Sequence, residues 1–352
     1  MNRLFSKRVM IFALLSILLV ALAACANGGD GGEAASPSPA AEQGAAEADR
    51  GPDSSPAPDG SPASDGEQAQ EGKRIVKHAM GEKELTGTPV KVVTLFQGAT
   101  DSALLLGVQP AGAVESWIEQ PWYHYIRDQM EGVTNLGSEN QPNLEAITLL
   151  KPDVIIASKT RHEKIYDQLD AIAPTVMTEE VHIWRDSLAI TAAALNKQEE
   201  EQAFLQEWEQ KIAEFKEKMG DRLSETEVAV VDFRSDHVRI VYTGFAALVL
   251  DELGISRPDN QKGEEWGVKL TSSEHIPQMN ADIIFDQTSL GRDDGRLDLR
   301  NSWMSHPLWA NLRAVQNGKV FEVDTAVWNN GSGPIAATLM VEDLFEYLEV
   351  LE

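Results

Sequence analysis

Residues 26–72 contain no Val, Ile, Leu, Met, Phe, Tyr or Trp. Of these 47 residues, 32 are Ala, Gly, Ser or Pro, ten are Asp or Glu, and Arg50 is the one base. A segment without apolar surface has nothing to offset the entropy of ordering, so it is expected to stay disordered. Any core must come from residues 73–352. As a flexible chain the segment would span about 35–40 Å root-mean-square, extended further by its own charge, which makes it a tether.

The residues before the tether explain its use. Arg3, Lys7 and Arg8 form a basic head, Val9 to Ala24 is an apolar run broken only by Ser16, and Cys25 comes next. An apolar run of about 16 is short for a membrane span, which needs about 20, and fits an export signal. Leu22-Ala23-Ala24-Cys25 resembles the bacterial lipobox, whose cysteine is acylated and becomes the new N-terminus. The expected organisation is a signal peptide over 1–24 and a lipidated Cys25 with its tether over 25–72. Two or three acyl chains would hold the protein stably at a membrane. Cys25 is the single cysteine, which excludes intrachain disulfides, cysteine-rich zinc sites and iron–sulfur clusters.

The chain carries a formal charge of −26. With +3 on the signal and −9 on the tether, −20 falls on residues 73–352. That balance excludes a nucleic-acid binder, which needs a basic footprint. The histidines (His78, His124, His162, His182, His237, His275 and His306) have no metal-ligand spacing, so no protein-bound metal or other cofactor is expected.

From Val90 onward, short apolar runs alternate with amphipathic stretches. Val92–Phe96, Gly112–Val114, Val154–Ala157 and Thr175–Met177 read as strands; Thr100–Leu106, Asn143–Leu150 and Lys164–Ile172 read as helices. After Trp184–Leu195 comes a continuous helical stretch from Lys197 to about Met219. Ala203, Leu205, Trp208, Ile212 and Phe215 recur along it at helical spacing. At 1.5 Å per residue it reaches about 35 Å, enough to bridge two lobes. A second β/α region has strands Val228–Phe233, Val238–Tyr242, Ile283–Phe285 and Val320–Val323 and a helix Phe245–Leu253. The alternation predicts an α/β fold with parallel pairing: two β/α lobes, 73–195 and 223–352, joined by one long helix, 196–222, with a ligand cleft between them.

Several segments together resemble the helical-backbone (class III) substrate-binding proteins of ABC importers for ferric siderophores, haem and cobalamin. They are Leu106-Gly107-Val108-Gln109-Pro110-Ala111-Gly112, Pro142-Asn143-Leu144-Glu145-Ala146-Ile147, Leu150-Lys151-Pro152-Asp153 and Ile172-Ala173-Pro174-Thr175. Leu250-Asp251-Glu252-Leu253-Gly254, His306-Pro307-Leu308-Trp309 and Gly318-Lys319-Val320 continue the pattern in family order. Thr160-Arg161-His162-Glu163-Lys164-Ile165-Tyr166 and Val327-Trp328-Asn329 are most similar to Gram-positive receptors for hydroxamate and carboxylate-hydroxamate siderophores. The resemblance implies a monomeric, extracytoplasmic, lipid-anchored receptor that captures a ferric siderophore and delivers it to a membrane permease. Iron would enter only inside its chelator. Haem, cobalamin or ferric citrate is the alternative cargo, and a surface hydrolase or adhesin the remote alternative. Gly331-Ser332-Gly333 is no nucleophile turn, since position 330 is Asn where Gly-x-Ser-x-Gly needs Gly.

An anionic, partly apolar chelate calls for Arg forks and aromatic faces. Arg161 comes just after the Val154–Ala157 strand at the carboxyl end, where β/α ligands gather. Arg234 ends one C-lobe strand, Arg239 begins the next, and Tyr242 ends it; Arg185 opens a helix. Trp117, Trp122, Tyr123 and Tyr125 form an aromatic cluster after the second N-lobe strand. By resemblance, Trp266, Trp328 and Asn329 line the cleft, while Glu145 and Asp251 or Glu252 dock on the permease. Some relatives carry Arg a few residues before the Asn-Leu-Glu motif, where this chain has Ser138-Glu139-Asn140-Gln141.

Overall fold

The computed structural model describes residues 72–291 and 294–349. The signal peptide, Cys25 and the tether up to residue 71 lie outside the described residues.

The first described elements are an antiparallel hairpin, β1 (Lys73–His78) and β2 (Gly81–Thr86), that the sequence pattern did not reveal. Only Val76 and Leu85 are buried in it, too few for a two-fold apolar rhythm. Arg74 fastens the hairpin, its Nε and Nη2 donating to the carbonyls of Ala193 and Ala194 at 3.0 and 2.6 Å.

The N-terminal lobe is a parallel sheet of β3 (Val92–Thr94), β4 (Gly112–Ala113), β5 (Thr134–Asn135), β8 (Val154–Ser158) and β9 (Thr175–Thr178), in the order β5-β4-β3-β8-β9. Between β5 and β8 lies a short hairpin, β6 (Gly137–Ser138) and β7 (Gln141–Pro142). Every residue of β3, β8 and β9 is buried, which is why they read as continuous apolar runs rather than alternating ones. The lobe's helices are α1 (Gln97–Leu105), α2 (Leu144–Leu150), α3 (Lys159–His162), α4 (Tyr166–Ile172) and α5 (Trp184–Leu195). Asn143 caps α2, its Oδ1 accepting from Ala146 N at 3.0 Å.

Helix α6 (Gln198–Met219) is the long connector, with Glu199, Glu200 and Glu201 in its first turn and Lys216 and Lys218 in its last, both favourable to the helix dipole. After the single turn α7 (Arg222–Glu225) comes the C-terminal lobe. Its sheet runs β12 (Gly267–Leu270), β11 (Val238–Val241), β10 (Val228–Phe233), β13 (Ile283–Asp286), β14 (Val320–Glu322). Strands β10, β13 and β14 are parallel, while β11 and β12 run antiparallel, β10 and β11 forming the hairpin that the Ser235-Asp236 turn between the first two C-lobe strands implies. The four residues between β10 and β11 close a tight turn, Arg234 N donating to His237 O at 2.8 Å, and so short a link permits only antiparallel pairing. Helices α8 (Phe245–Leu253), α9 (Arg296–Met304), α10 (Arg313–Gln316) and α11 (Pro334–Tyr347) complete the lobe. Helix α11 was not among the elements expected from the sequence, although its buried Ala336, Ala337, Met340, Val341, Leu344 and Phe345 recur at helical spacing.

The two lobes share one apolar core. It contains Val92, Val154 and Val176 of the first sheet and Val228, Val230 and Ile283 of the second. Trp208, Ile212, Phe215 and Met219 of α6, with residues of α1, α5, α8 and α11, join them. A polar contact reinforces the seam. Asp101 of α1 accepts from the backbone N–H groups of Ile335 and Ala336 at 2.7 and 3.2 Å, capping α11 across the lobes, and from Tyr125 Oη at 3.2 Å. Burial pushes the Asp101 carboxyl up to about 7 against the pull of these three donors.

Asp101→Ala strands those donors and is expected to lower stability by about 3 kcal/mol in urea unfolding. The folded-state pKa lies above the unfolded value, so the native protein holds this proton longer. Relative to Asp101→Asn, the wild type is expected to lose stability as pH rises from about 4 to about 7, then level off. A constant difference across that range would show that Asp101 does not titrate there.

Candidate ligand-binding site

In both lobes the parallel strands point their carboxyl ends at the same cleft. The residues just beyond each strand therefore supply the walls. Gln97 comes after β3, Trp117 after β4, Arg161 after β8 and His182 after β9; these line a cavity of about 260 Å³. Arg234 comes after β10 and Gln287 after β13, and with Arg239 of β11 they line a second of about 230 Å³. Phe245, Trp266 and Asn329 line both, so the two are halves of one groove. Arg296 extends the C-lobe wall beside Arg234 and Asn330.

The N-lobe wall is organised around a buried carboxylate. Glu139, at the tip of the β6–β7 hairpin, is 3% exposed and accepts from Arg161 Nε at 3.0 Å. Burial raises its pKa, opposed by Arg161, by the Gln97 N–H and by a hydrogen bond from Trp117. The Arg161 guanidinium lies 5.8 Å from the centre of the Trp117 ring, a cation–π arrangement. His162, beneath it, donates its Nε2–H to the Glu139 carbonyl at 2.7 Å and accepts from Ser158 N, and burial holds its pKa low. Across the wall the ring of His182 packs on Trp266, centroids 5.0 Å apart, and burial depresses its pKa too.

The C-lobe wall repeats the pattern. Asp232, buried with its pKa raised by desolvation, pairs with Arg234 and lies opposite Arg239 in the β10–β11 register. Arg296 is 5% exposed and takes both oxygens of Asp294 through Nε and Nη2 at 2.8 and 2.6 Å. Among the described residues Arg239 has no carboxylate within ion-pair distance, and its buried Nε has no acceptor. Its charge is the one the wall leaves uncompensated. Four guanidiniums from two lobes thus converge beside two indoles, a surface suited to planar oxyanions on a partly apolar body.

Of the residues expected from sequence, Arg161, Arg234, Arg239, Trp117, Trp266 and Asn329 come together here. Others do not. Trp328 is fully buried, donates Nε1–H to Asp343 at 2.8 Å and packs on Phe285, so it is a core residue rather than a groove residue. Trp122 is 7% exposed and packs with Leu104, Tyr123 and Ile126. Tyr242 donates its hydroxyl to the Asn260 carbonyl and is absent from the lining. Arg185 pairs with Glu209 and Glu252. Glu252 accepts from Arg185 and from Trp208 Nε1, so it holds α5, α6 and α8 together rather than standing free for a partner. Asp251 is half-exposed beside buried Arg257, and Glu145 is exposed in the first turn of α2. Asn330, beside Asn329 in the chain, joins the groove residues, whereas Gln97, His182, Gln287 and Arg296 were not anticipated. Gln97, His182 and Gln287 share a signal, a polar residue shortly after a buried strand, that needs strand ends located to within a residue or two.

A two-lobed α/β receptor, with its groove at facing strand ends and a helix as its backbone, is a class III solute-binding protein. Residues 92–327 match the periplasmic binding protein family, Peripla_BP_2, and the chain belongs to it. The chain is 41% identical to the probable siderophore-binding lipoprotein YfiY of Bacillus subtilis, over 78% of this chain and 87% of that protein. It is 38% identical to the achromobactin-binding periplasmic protein of Dickeya dadantii, over 73% and 85%. The crystal structure of Staphylococcus aureus SirA complexed with staphyloferrin B is similar with a TM-score of 0.74 and 40% identity, covering 78% of this chain and 98% of that one.

Replacing Arg161 by Ala removes a half-buried guanidinium from the wall and is expected to weaken capture of an oxyanionic ligand by about 2–5 kcal/mol in calorimetry. Unchanged affinity would take Arg161 out of the site.

Proposed function

We propose that this protein is a lipid-anchored extracytoplasmic receptor that captures a ferric siderophore and presents it to an ABC permease. The observation that carries the reading is the convergence of Arg161, Arg234, Arg239 and Arg296 from both lobes on one groove. Bidentate guanidinium forks match carboxylates better than neutral carbonyl groups, so a carboxylate-bearing ferric chelate is favoured over a pure hydroxamate. The names of the two similar binding proteins and the SirA complex support the same cargo class. Glu139 and Asp232, the carboxylates of the two walls, are engaged by arginines rather than free to hold a bare ion, and Glu119, His124 and Asp324, whose ligand atoms lie within 4.8 Å of one another, stand outside the lining of the two cavities. On this reading iron enters as cargo within its chelator, the receptor performs no catalysis, and the head works as a monomer. Glu145 and Asp251 are the acidic residues left for docking on the permease, one on each lobe.

The test is to titrate the protein with ferric staphyloferrin B, ferric citrate, a ferric hydroxamate, haem and cobalamin while monitoring tryptophan emission. Trp117 and Trp266 line the groove, so the carboxylate chelates are expected to quench most strongly. Binding of haem or cobalamin with no response to any ferric chelate would overturn the cargo; His182 would then be the residue to examine as a haem ligand. Cys25→Ser is expected to move the protein from the membrane fraction to the medium. Retention at the membrane would overturn the lipid anchor.

A further inference from the structure

Glu139 is the acidic residue in the N-lobe lining of a groove that, on the proposed function, receives anions. It is no stray surface charge. Its side chain is 3% exposed, Oε1 takes Arg161 Nε at 3.0 Å, and Oε2 lies 3.4 Å from the Gln97 N–H. It therefore grips Arg161 by the inner edge of the guanidinium. Arg161 makes its hydrogen bond to a described residue through Nε, with none from the two Nη groups, and its side chain is 33% exposed where it lines the cavity. An acid placed this way aims the fork outward.

An anion seated on that outer edge would share one guanidinium with Glu139, whose own carboxylate is sealed from water at 3% exposure. Two anions in such a position cannot both remain ionised without a large cost. The oxygens bound to ferric ion are held anionic by the metal. Glu139 is the group that can yield, since burial already raises its pKa. Of the other groups around it, His182 in the same lining is the one that could also take a proton on anion binding, and burial lowers its pKa. His162 is held neutral by burial and is engaged through both ring nitrogens, Gln97 and Trp117 do not titrate, and Arg161 stays charged. Lys159, which opens α3, is paired with Glu179, while the Glu115 carboxylate is engaged by Gln120 and Asn135. On the opposite wall stand Arg234, paired with Asp232, and Arg239.

We propose that Glu139 is a positioning residue for Arg161 that takes up a proton from solvent when an anionic ferric chelate is captured. The inference rests on the reading of the groove as a site for such chelates. No covalent bond changes within the chelate or the chain beyond that protonation. The complex holds one more proton than the separated partners, so affinity is full at low pH. It falls as pH rises from the pKa of Glu139 in the receptor alone toward its higher value in the complex.

The experiment is calorimetric titration with ferric staphyloferrin B and with ferric citrate near neutral pH, in buffers of differing ionisation heat. It is repeated across pH for the wild type and for Glu139→Gln. Glutamine keeps an acceptor for Arg161 Nε but cannot titrate. The wild type is expected to take up between about half a proton and one, with Kd rising by up to about tenfold per pH unit in that window. In Glu139→Gln that uptake and slope disappear, and affinity at pH about 8 equals or exceeds the wild type's, because a buried negative charge is gone. Wild-type heats that do not vary with buffer overturn the proposal, whatever the variant does. So does a Glu139→Gln protein that loses affinity equally at every pH with its slope intact, the mark of a merely structural residue. Absence of heat with both chelates overturns the reading of the groove itself, and this inference with it.

Discussion

The apolar core running unbroken from one lobe to the other is what the rest of the structure depends on. Trp208, Ile212, Phe215 and Met219 of α6 join Trp184 of α5 and the α8 face of Phe245, Val249 and Leu250 in a single packed body. Close-packed interiors transmit strain rather than absorb it, so the facing strand ends are held at a set separation. Arginines contributed by different lobes can then meet one ligand without a hinge having to close. The polar seam obeys the same logic. Asp101 caps α11 from the other lobe, and Gly333 is glycine because a Cβ there would stand 2.4 Å from the Asp101 side chain.

An acidic head that, on the proposed function, binds acidic cargo must solve an electrostatic problem locally. The −20 on residues 73–352 is spread over a surface where charges more than about 8 Å apart are largely screened at physiological salt. Inside the groove the dielectric is lower, and a guanidinium a few ångströms away outweighs the distant field. Three of the arginines are each held by a carboxylate behind or beside them: Glu139 for Arg161, Asp232 for Arg234, Asp294 for Arg296. These acids fix the direction of the forks and temper their charge, which keeps the three cations from repelling one another. Arg239 is left without such a partner among the described residues.

Legibility in the sequence tracked burial geometry. Strands buried on both faces and the amphipathic α6 announced themselves through continuous apolar runs or helical spacing. The β1–β2 hairpin, α9 and β12 did not, since their apolar content is sparse; the strands among them are ordered by their pairing partners. Tryptophans separated in the same way. Trp266 and Trp328 both sit near loops and looked alike, yet one is 53% exposed over the groove and the other is sealed in the core on Asp343. Their neighbours differ, Glu264-Glu265 before one and Ala326-Val327 before the other, but that local contrast does not by itself fix burial. Burial is decided by what packs from elsewhere in the chain, here Phe285 and α11.

By itself the sequence determined the parts whose physics is local: a basic head and apolar run ending at the single cysteine, a stretch of 47 residues with nothing to bury, and β/α units in a recognisable order. It also determined that the groove's charge would have to come from few bases placed well. Only the tertiary structure decided which bases those are. Arg161 and Glu139 are 22 residues apart, and they meet because the end of β8 and the β6–β7 turn arrive at the same wall. Arg296 joins Arg234 because α9 folds back over β10 and β13. Such pairings depend on strand order and register, which are set by long-range packing, and spacing along the chain carries no trace of them.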